Sequence, residues 1–269
     1  MEAIRGFVRN RAGISLGADK DYLVISRLEP RLSGWHLPSL DKLAERLRSQ
    51  PTGSLANDVV AALTTNETLW FRDGKPFEAL RAVILPDLLC RRDAGRQQSA
   101  RRLAIWSAAC ATGQEVYSIA MTLQDTAAVR DCQVSILGSD ICEPAVARAR
   151  SGRYTQFEVQ RGLSIQHLVR YFEQNGNDWC VRPELRAGVA FRTLNLLDLP
   201  AGLGPFDVVF CRNVLIYFDI DVKCQVLAAI AARLRPGGYL VLGGAETTLG
   251  LASPFASVPD TTGVYRKVR

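Results

Sequence analysis

Four short apolar runs in this 269-residue chain each end in small or polar residues, and those endings are where chemistry is expected. The first run leads into Ser107-Ala108-Ala109-Cys110-Ala111-Thr112-Gly113-Gln114-Glu115. Small residues permit a tight turn and let a ligand approach the backbone. The segment has neither the GxGxxG spacing of a dinucleotide loop nor the Lys-Ser/Thr of a P-loop. A plain strand-to-helix turn is the alternative. The second run leads into Ser139-Asp140, 27 residues beyond Gly113, roughly where a doubly wound nucleotide site puts the carboxylate for the ribose hydroxyls. A helix-capping Asp is the alternative there. The third leads into Asn195-Leu196-Leu197-Asp198, whose Asn either meets an adenine edge or caps a turn. The fourth leads into Cys211-Arg212-Asn213, two polar groups directly after a buried strand, which are costly there without partners.

Taken together, the four endings point to an adenosine-containing cofactor held without a diphosphate loop, which favours S-adenosylmethionine over NAD or ATP. The only histidines are His36 and His167, neither beside another catalytic-looking residue, which disfavours a His-based triad. The seven Cys are odd in number and show no CxxC spacing, so no zinc ribbon and no metal site is expected. They read as reduced, small apolar residues.

The elements that must position these endings begin with residues 1–65, which read as helical. Ile4, Phe7 and Val8 share a face; Leu23, Ile25, Leu28 and Leu32 form a less regular pattern. Leu40, Leu43 and Leu47 follow Ser39, and Leu55, Val59 and Leu63 follow Ser54, both serines being expected N-caps. A helix is expected over 75–90, bent by Pro86, then an Arg-rich surface loop over 91–102. From residue 103 strands alternate with helices. Strands are expected at 103–107, 134–138, 189–193, 206–211, 239–243 and 263–266, and helices at 114–125, after Pro144 and at 220–234, the last closed by Arg235-Pro236-Gly237-Gly238. That alternation implies a mostly parallel, doubly wound α/β sheet behind a small helical domain.

The composition fits this reading. An apolar content of 48% excludes a disordered chain, and no apolar run reaches the roughly 20 residues of a membrane span. The N-terminus opens no signal-peptide core, so a soluble, cytoplasmic protein is expected. The net charge is +6 and the pI about 9.1, which invites a nucleic-acid partner. The excess is spread thinly along the chain, however, and only five of the 33 basic residues are Lys. Arg suits bidentate contacts with carboxylates as well as phosphates.

Six stretches then fall in order: Thr64 to Asp73 (TTNETLWFRD), Ser107 to Met121, Gly138 to Ile141, Phe191 to Asp198, Phe206 to Asp219 (containing FCRNVLIYFD) and Leu234 to Glu246. With them the chain resembles the chemotaxis receptor glutamate methyltransferases of the CheR type over about 200 residues, and the N-terminal helices resemble that family's small helical domain. The resemblance implies a helical domain and linker over 1–73 with a receptor-docking role. It implies a Rossmann-like class I S-adenosylmethionine methyltransferase domain over 74–269, with a small β insert around 172–188. It implies methyl ester formation on glutamates of methyl-accepting chemoreceptors, whose Glu-bearing helical bundles are the partner. No nucleic acid, no membrane insertion and a monomer are expected. Position by position, it assigns Asn66, Thr68, Arg72, Glu115, Asp140, Asn195, Leu196, Arg212 and Asn213 to the cofactor, and Arg72 and Tyr217 to catalysis. Glu115 could otherwise be a helix N-terminal charge, and Tyr217 a core aromatic. Arg27 and Arg31, four apart and so expected on one helix face, become candidates for docking an acidic receptor helix.

Two departures from the family pattern matter. Leu69-Trp70 replaces a smaller or Phe/Tyr-type pair, which implies a different cavity lining. The 171–190 segment is short and suggests only a hairpin around Asn175-Gly176-Asn177-Asp178, as in members that do not tether a receptor C-terminal peptide. The rivals are a nucleic-acid methyltransferase, against which Cys211-Arg212-Asn213-Val214 stands where an Asn/Asp-Pro-Pro-Tyr motif is common, and a catalytically silent cofactor-sensing module.

Overall fold

A computed structural model describes residues 1–94 and 102–268. The chain opens with α1 (Glu2–Ala12), α2 (Asp21–Leu28), α3 (Leu40–Ser49) and α4 (Ser54–Leu63). Ile4, Val8 and Ala12 are buried along α1, which stops where Gly13 takes a left-handed turn at φ 75°. Ser39 caps α3 as expected, accepting from the Lys42 amide. Ser54 does not cap α4. It is the first helical residue, and Gly53 occupies the cap with no side-chain bond. Arg27 and Arg31 do not share an α-helical face, because α2 ends at Leu28 and Glu29–Arg31 form a separate 3-10 turn.

The next helical run is broken in three: α5 (Lys75–Ala79), a π turn over Leu80–Ile84, and α6 (Leu85–Ala94). Pro86 lacks the N–H that would bond the Ala82 carbonyl, and the irregular turn falls just ahead of it. Of the Arg-rich loop expected over 91–102, residues 91–94 continue α6 and residues 95–101 lie outside the described residues.

The elements then run β1 (Arg102–Ala108), α7 (Gln114–Gln124), β2 (Gln133–Asp140), α8 (Glu143–Ser151), β3 (Arg153–Thr155), α9 (Gln156–Val159), α10 (Ile165–Tyr171), β4 (Phe172–Asn175), β5 (Asp178–Val181), α11 (Pro183–Arg186), β6 (Val189–Thr193), β7 (Phe206–Cys211), α12 (Ile220–Arg233), β8 (Leu234–Leu242), β9 (Phe255–Ser257) and β10 (Val264–Lys267). The main sheet has the order β6-β2-β1-β7-β8-β10-β9. The first five strands are parallel; β10 runs antiparallel to β8, and β9 to β10. Every residue of β7 is buried, as a strand covered on both faces requires.

Three strand expectations need correction. β8 starts at Leu234 and runs through Arg235-Pro236-Gly237-Gly238, with an irregularity in its pairing to β7 between Phe206 and Val208. The edge strand β9 had no apolar run long enough to announce it. The β insert is a three-stranded antiparallel sheet of order β3-β5-β4, not a lone hairpin. The expected hairpin is β4–β5, and Arg153–Thr155, a long way back in the chain, supplies the third strand.

Two cores cover the two faces of the main sheet. Trp106, Val209, Cys211, Leu240 and Leu242 pack on one side with α12 and with the buried residues of α1 to α4, so the helical segment shares a core with the sheet. Ile105, Val208, Phe210, Tyr239 and Val241 face the other side, with α5 to α8 and the β insert. Trp70 is fully buried in that second core, its ring edge-on to Tyr154 and Phe172 at 4.8 and 5.2 Å.

Candidate functional site

Chain order along the sheet reverses between β1 and β7, and ligands of such sheets bind beyond the strand ends at that reversal. One cavity opens there. Its floor is the turn after β1, Asp140 at the end of β2, and the segment after β7. Its roof is the linker after α4 and the connection from α1 to α2. Asn66, Thr68, Arg72, Glu115, Asp140, Asn195, Leu196, Arg212, Asn213, Tyr217 and Arg27 all line it, drawn together from six separate stretches. Arg31 does not; it is exposed.

The turns that form the cavity are conformationally expensive. Phe71, Asp73, Ala109, Ala111 and Asn213 all hold positive φ, between 48° and 69°, without being glycine. Such strain persists only where the surroundings enforce it, and it concentrates at functional sites. Gly113 sits at φ 95°, and a Cβ there would come within 2.8 Å of the Ala149 Cβ.

Asp140 is buried, and its two oxygens accept from the Ala111 and Cys142 amides at 2.8 and 2.9 Å. Burial nevertheless pushes its carboxyl above the usual carboxylate range, with those amides opposing. It therefore both ties the β1 turn to β2 and offers its remaining lone pairs to a ligand.

Glu115, at the start of α7, accepts from Ser107 Oγ and from Arg212 Nη1, each at 2.8 Å. The Arg212 side chain is almost fully buried. Its Nη2 donates to the Arg72 carbonyl and to Asp73 Oδ2, both at 2.7 Å. Arg212 is thus a clasp between the sheet and the linker. Its Nε has no hydrogen-bond partner among the described residues. Arg72 donates from Nη1 to the Glu67 carbonyl at 3.1 Å and lines the cavity half-buried. The Asn66 amide lies 3.2 Å from Cys142 Sγ. The Phe71 amide donates to Ser118 Oγ, and Trp70 Nε1 to the Glu158 carbonyl, both at 3.0 Å. Trp70 thus points away from the cavity, and neither it nor Leu69 lines it, so the expected change of lining does not occur.

Two further residues of the lining have partners of their own within the fold. Asn195 donates from Nδ2 to the Arg11 carbonyl at 2.7 Å and accepts the Leu197 amide at Oδ1. Its side chain caps a turn and ties the site to α1. Arg27 donates to the Leu63 and Thr64 carbonyls at 3.0 and 3.1 Å, and to Thr65 Oγ1. It holds the start of the linker and does not stand out as a docking group.

Tyr217 ends the 3-10 turn after β7, and its carbonyl accepts the Ser15 amide at 2.8 Å. Its hydroxyl has no partner among the described residues. His167 lies outside the cavity. Its ring bonds Ser164 Oγ and Asp125 Oδ2, both at 3.0 Å, and stacks on Phe71. That alignment looks like a nucleophile triad but is a helix cap: Ser164 accepts the His167 amide at the start of α10. Among the described residues no group of three or more His, Cys, Asp or Glu side chains could hold a metal ion. Nor is any helix long and apolar enough to cross a membrane.

The cavity suits an amphipathic ligand with a ribose at one end and a zwitterion at the other. Asp140 supplies the acceptor, and Arg72, Glu115 and the orphaned Arg212 Nε supply the charges. Sequence reasoning assigned no role to Glu246, Ser118 or Asp73. Glu246 lay in view at the end of the Leu234 to Glu246 stretch, but its partners are backbone groups that no motif displays.

Comparison with known proteins agrees. Residues 66–264 match the family model "CheR methyltransferase, SAM binding domain", and residues 1–64 match "CheR methyltransferase, all-alpha domain". The chain is 42% identical to "Chemotaxis protein methyltransferase Cher2" of Pseudomonas putida, covering 100% of this chain and 97% of that one. It is 42% identical to "Chemotaxis protein methyltransferase 1" of Pseudomonas aeruginosa over the same shares. It is 36% identical to the "Chemotaxis protein methyltransferase" of Escherichia coli, over 90% of this chain and 82% of that one. With the two domain models matched over residues 66–264 and 1–64 and the cavity at the sheet's reversal point, the chain belongs to the CheR family of S-adenosylmethionine-dependent methyltransferases.

Proposed function

We propose that the protein forms methyl esters on glutamate side chains in the helical cytoplasmic regions of chemoreceptors. The observation that carries this reading is the composition of the cavity lining. Among the described residues a guanidinium (Arg72) and a phenol without a partner (Tyr217) line the cavity, and no imidazole does.

That set fits a carboxylate nucleophile. A glutamate, with a pKa near 4.3, is already ionised at neutral pH and needs no general base. When bound, S-adenosylmethionine supplies a methyl group on a positively charged sulfur, which departs with the C–S electron pair as a neutral thioether. No proton changes hands, so the chain's task is alignment at near-attack distance. Arg72 best serves by gripping the cofactor's own carboxylate. A tight pair with the substrate carboxylate would stabilise ground and transition states alike and speed nothing. Asp140 takes the ribose hydroxyls, and Arg212 keeps the Arg72 carbonyl and Asp73 in register with Glu115. Tyr217 directs its free hydroxyl to the methyl group or the incoming carboxylate.

Purified enzyme, radiolabelled S-adenosylmethionine and receptor-containing membranes test the reading. Base-labile label on the receptor supports it. Label on nucleic acid, or on nothing, rejects it.

A further inference from the structure

Glu246, just beyond β8, is nearly buried at 8% exposure, yet no Lys or Arg pairs with it among the described residues. Its two oxygens are taken up by backbone. Oε2 accepts the Asn213 and Gly243 amides at 2.7 and 2.8 Å. Oε1 accepts the Val214 and Leu215 amides at 2.9 and 2.8 Å. Four inward-turned N–H groups form a nest that balances the charge in place of a cation. Three of the four belong to the segment that leaves β7 and delivers Asn213 and Tyr217 to the cavity. Asn213 stands in that segment at φ 57° without being glycine. The fit is close: a Cβ on Gly243 would fall 2.8 Å from Glu246 Oε2 and 2.9 Å from Asn213 Nδ2. Glu246 does not itself line the cavity.

From this geometry we infer that Glu246 is a positioning residue for methyl transfer. Its carboxylate pre-forms the strained 213–215 turn, and so sets Asn213 and Tyr217 before the cofactor arrives. The inference rests on the reading of the cavity as the methyl-transfer site. Loops left without such support must be ordered at the cost of binding energy, and misplacement of a catalytic group by about 1 Å costs on the order of 100-fold in rate.

The variant Glu246→Gln keeps the shape but turns one acceptor into a donor, so two of the four amides lose their partner. Its control is Asp207→Asn. Asp207 is also buried, accepts the Ala104 amide at 2.8 Å and pairs with Arg235, but it sits at the far end of β7 from the cavity. Both variants are compared at a temperature where each is folded by near-ultraviolet circular dichroism. For Glu246→Gln we expect a tenfold or greater loss of S-adenosylhomocysteine affinity and a tenfold or greater fall in kcat, with KM for receptor little changed. Glu246→Asp keeps the charge and should recover part of both. Asp207→Asn should lose melting temperature and keep S-adenosylhomocysteine affinity within twofold. Should Glu246→Gln not fold, hydrogen exchange on the wild type decides. The 213–215 amides should be protected without ligand and gain little on adding S-adenosylhomocysteine. Unprotected amides would overturn the inference. So would a Glu246→Gln enzyme with affinity and kcat within twofold of wild type, or an Asp207→Asn enzyme that loses affinity equally. A wild-type enzyme that bound no S-adenosylhomocysteine would reject the reading of the cavity and the inference with it. Failure of the Glu246 variants alone leaves that reading standing.

Discussion

Burial and backbone amides pull on the Asp140 carboxyl in opposite directions, and burial wins, raising it above the usual carboxylate range. If Asp140 takes the ribose hydroxyls as proposed, its ionised form is the stronger acceptor, so cofactor affinity should hold above that raised value and fall by up to about tenfold per pH unit below it. The loss should begin at higher pH than the ~3.9 of an ordinary Asp would give. Between ~3.9 and the raised value the folded protein binds more protons than the unfolded chain, so this group's contribution to stability falls as pH rises through that window. Calorimetric titration of S-adenosylhomocysteine against pH checks the first part; Asp140→Asn should bind weakly and flatten the profile. A wild-type profile already flat down to pH 4 would contradict it. Arg72 gives a second test at this scale. A hydrogen bond to a charged group contributes ~1.5–3 kcal/mol, so Arg72→Ala should weaken S-adenosylhomocysteine binding by about 10- to 100-fold. Unchanged affinity with lost turnover would instead move Arg72 from the cofactor to the substrate.

Between residues and fold stands the linker from Thr64 to Gly74, which roofs the cavity while its aromatic half is anchored in the core beneath the β insert. Trp70 provides the anchor, and Trp70→Ala should cost about 3–5 kcal/mol, measured by urea unfolding. Gly162→Ala is the sharper probe. Gly162 lies at φ 94°, and a Cβ there would collide with the Trp70 carbonyl. It should unseat the linker and weaken S-adenosylhomocysteine binding although Gly162 does not line the cavity; intact affinity would show that the roof is held elsewhere. Such couplings explain what could be read in advance. The central strands were legible because a strand buried on both faces is a continuous apolar run, as in Phe206–Cys211, and their ends marked Asp140, Arg212 and Asn213. What escaped notice depends on partners far along the chain. The Asn195 side chain bonds a carbonyl 184 residues away, Arg27 bonds carbonyls 36 and 37 residues away, and Arg153–Thr155 becomes a strand only by pairing with β5. No local period encodes those contacts.

Across the whole molecule, the helical segment and the sheet act as one body. They share a hydrophobic core, and three polar ties cross between them: Asn195 to the Arg11 carbonyl, the Ser15 amide to the Tyr217 carbonyl, and Arg9 to Asp219 at 2.6 Å. Asp219 also caps α12, and the Val222 amide, then Arg9, hold its carboxyl below its ordinary range. That tie is present above the ordinary carboxylate pKa and is lost as pH falls through the depressed value. If a receptor helix docks on the helical segment, as proposed, these ties would hold it in register with Tyr217. This changes which cations can serve in docking. Arg27 is committed to the linker, whereas Arg31 is exposed, and Lys20 stands at the cavity rim with no partner among the described residues. Surface charges steer an acidic partner at long range and are screened beyond about 8 Å at physiological salt. Arg31→Glu should therefore slow receptor methylation at low salt and flatten its salt dependence, while S-adenosylhomocysteine affinity stays at the wild-type value because Arg31 does not line the cavity. Arg27→Glu should lose cofactor affinity as well, through the linker. If Arg31→Glu kept the wild-type rate at every ionic strength, Arg31 would have no part in finding the substrate.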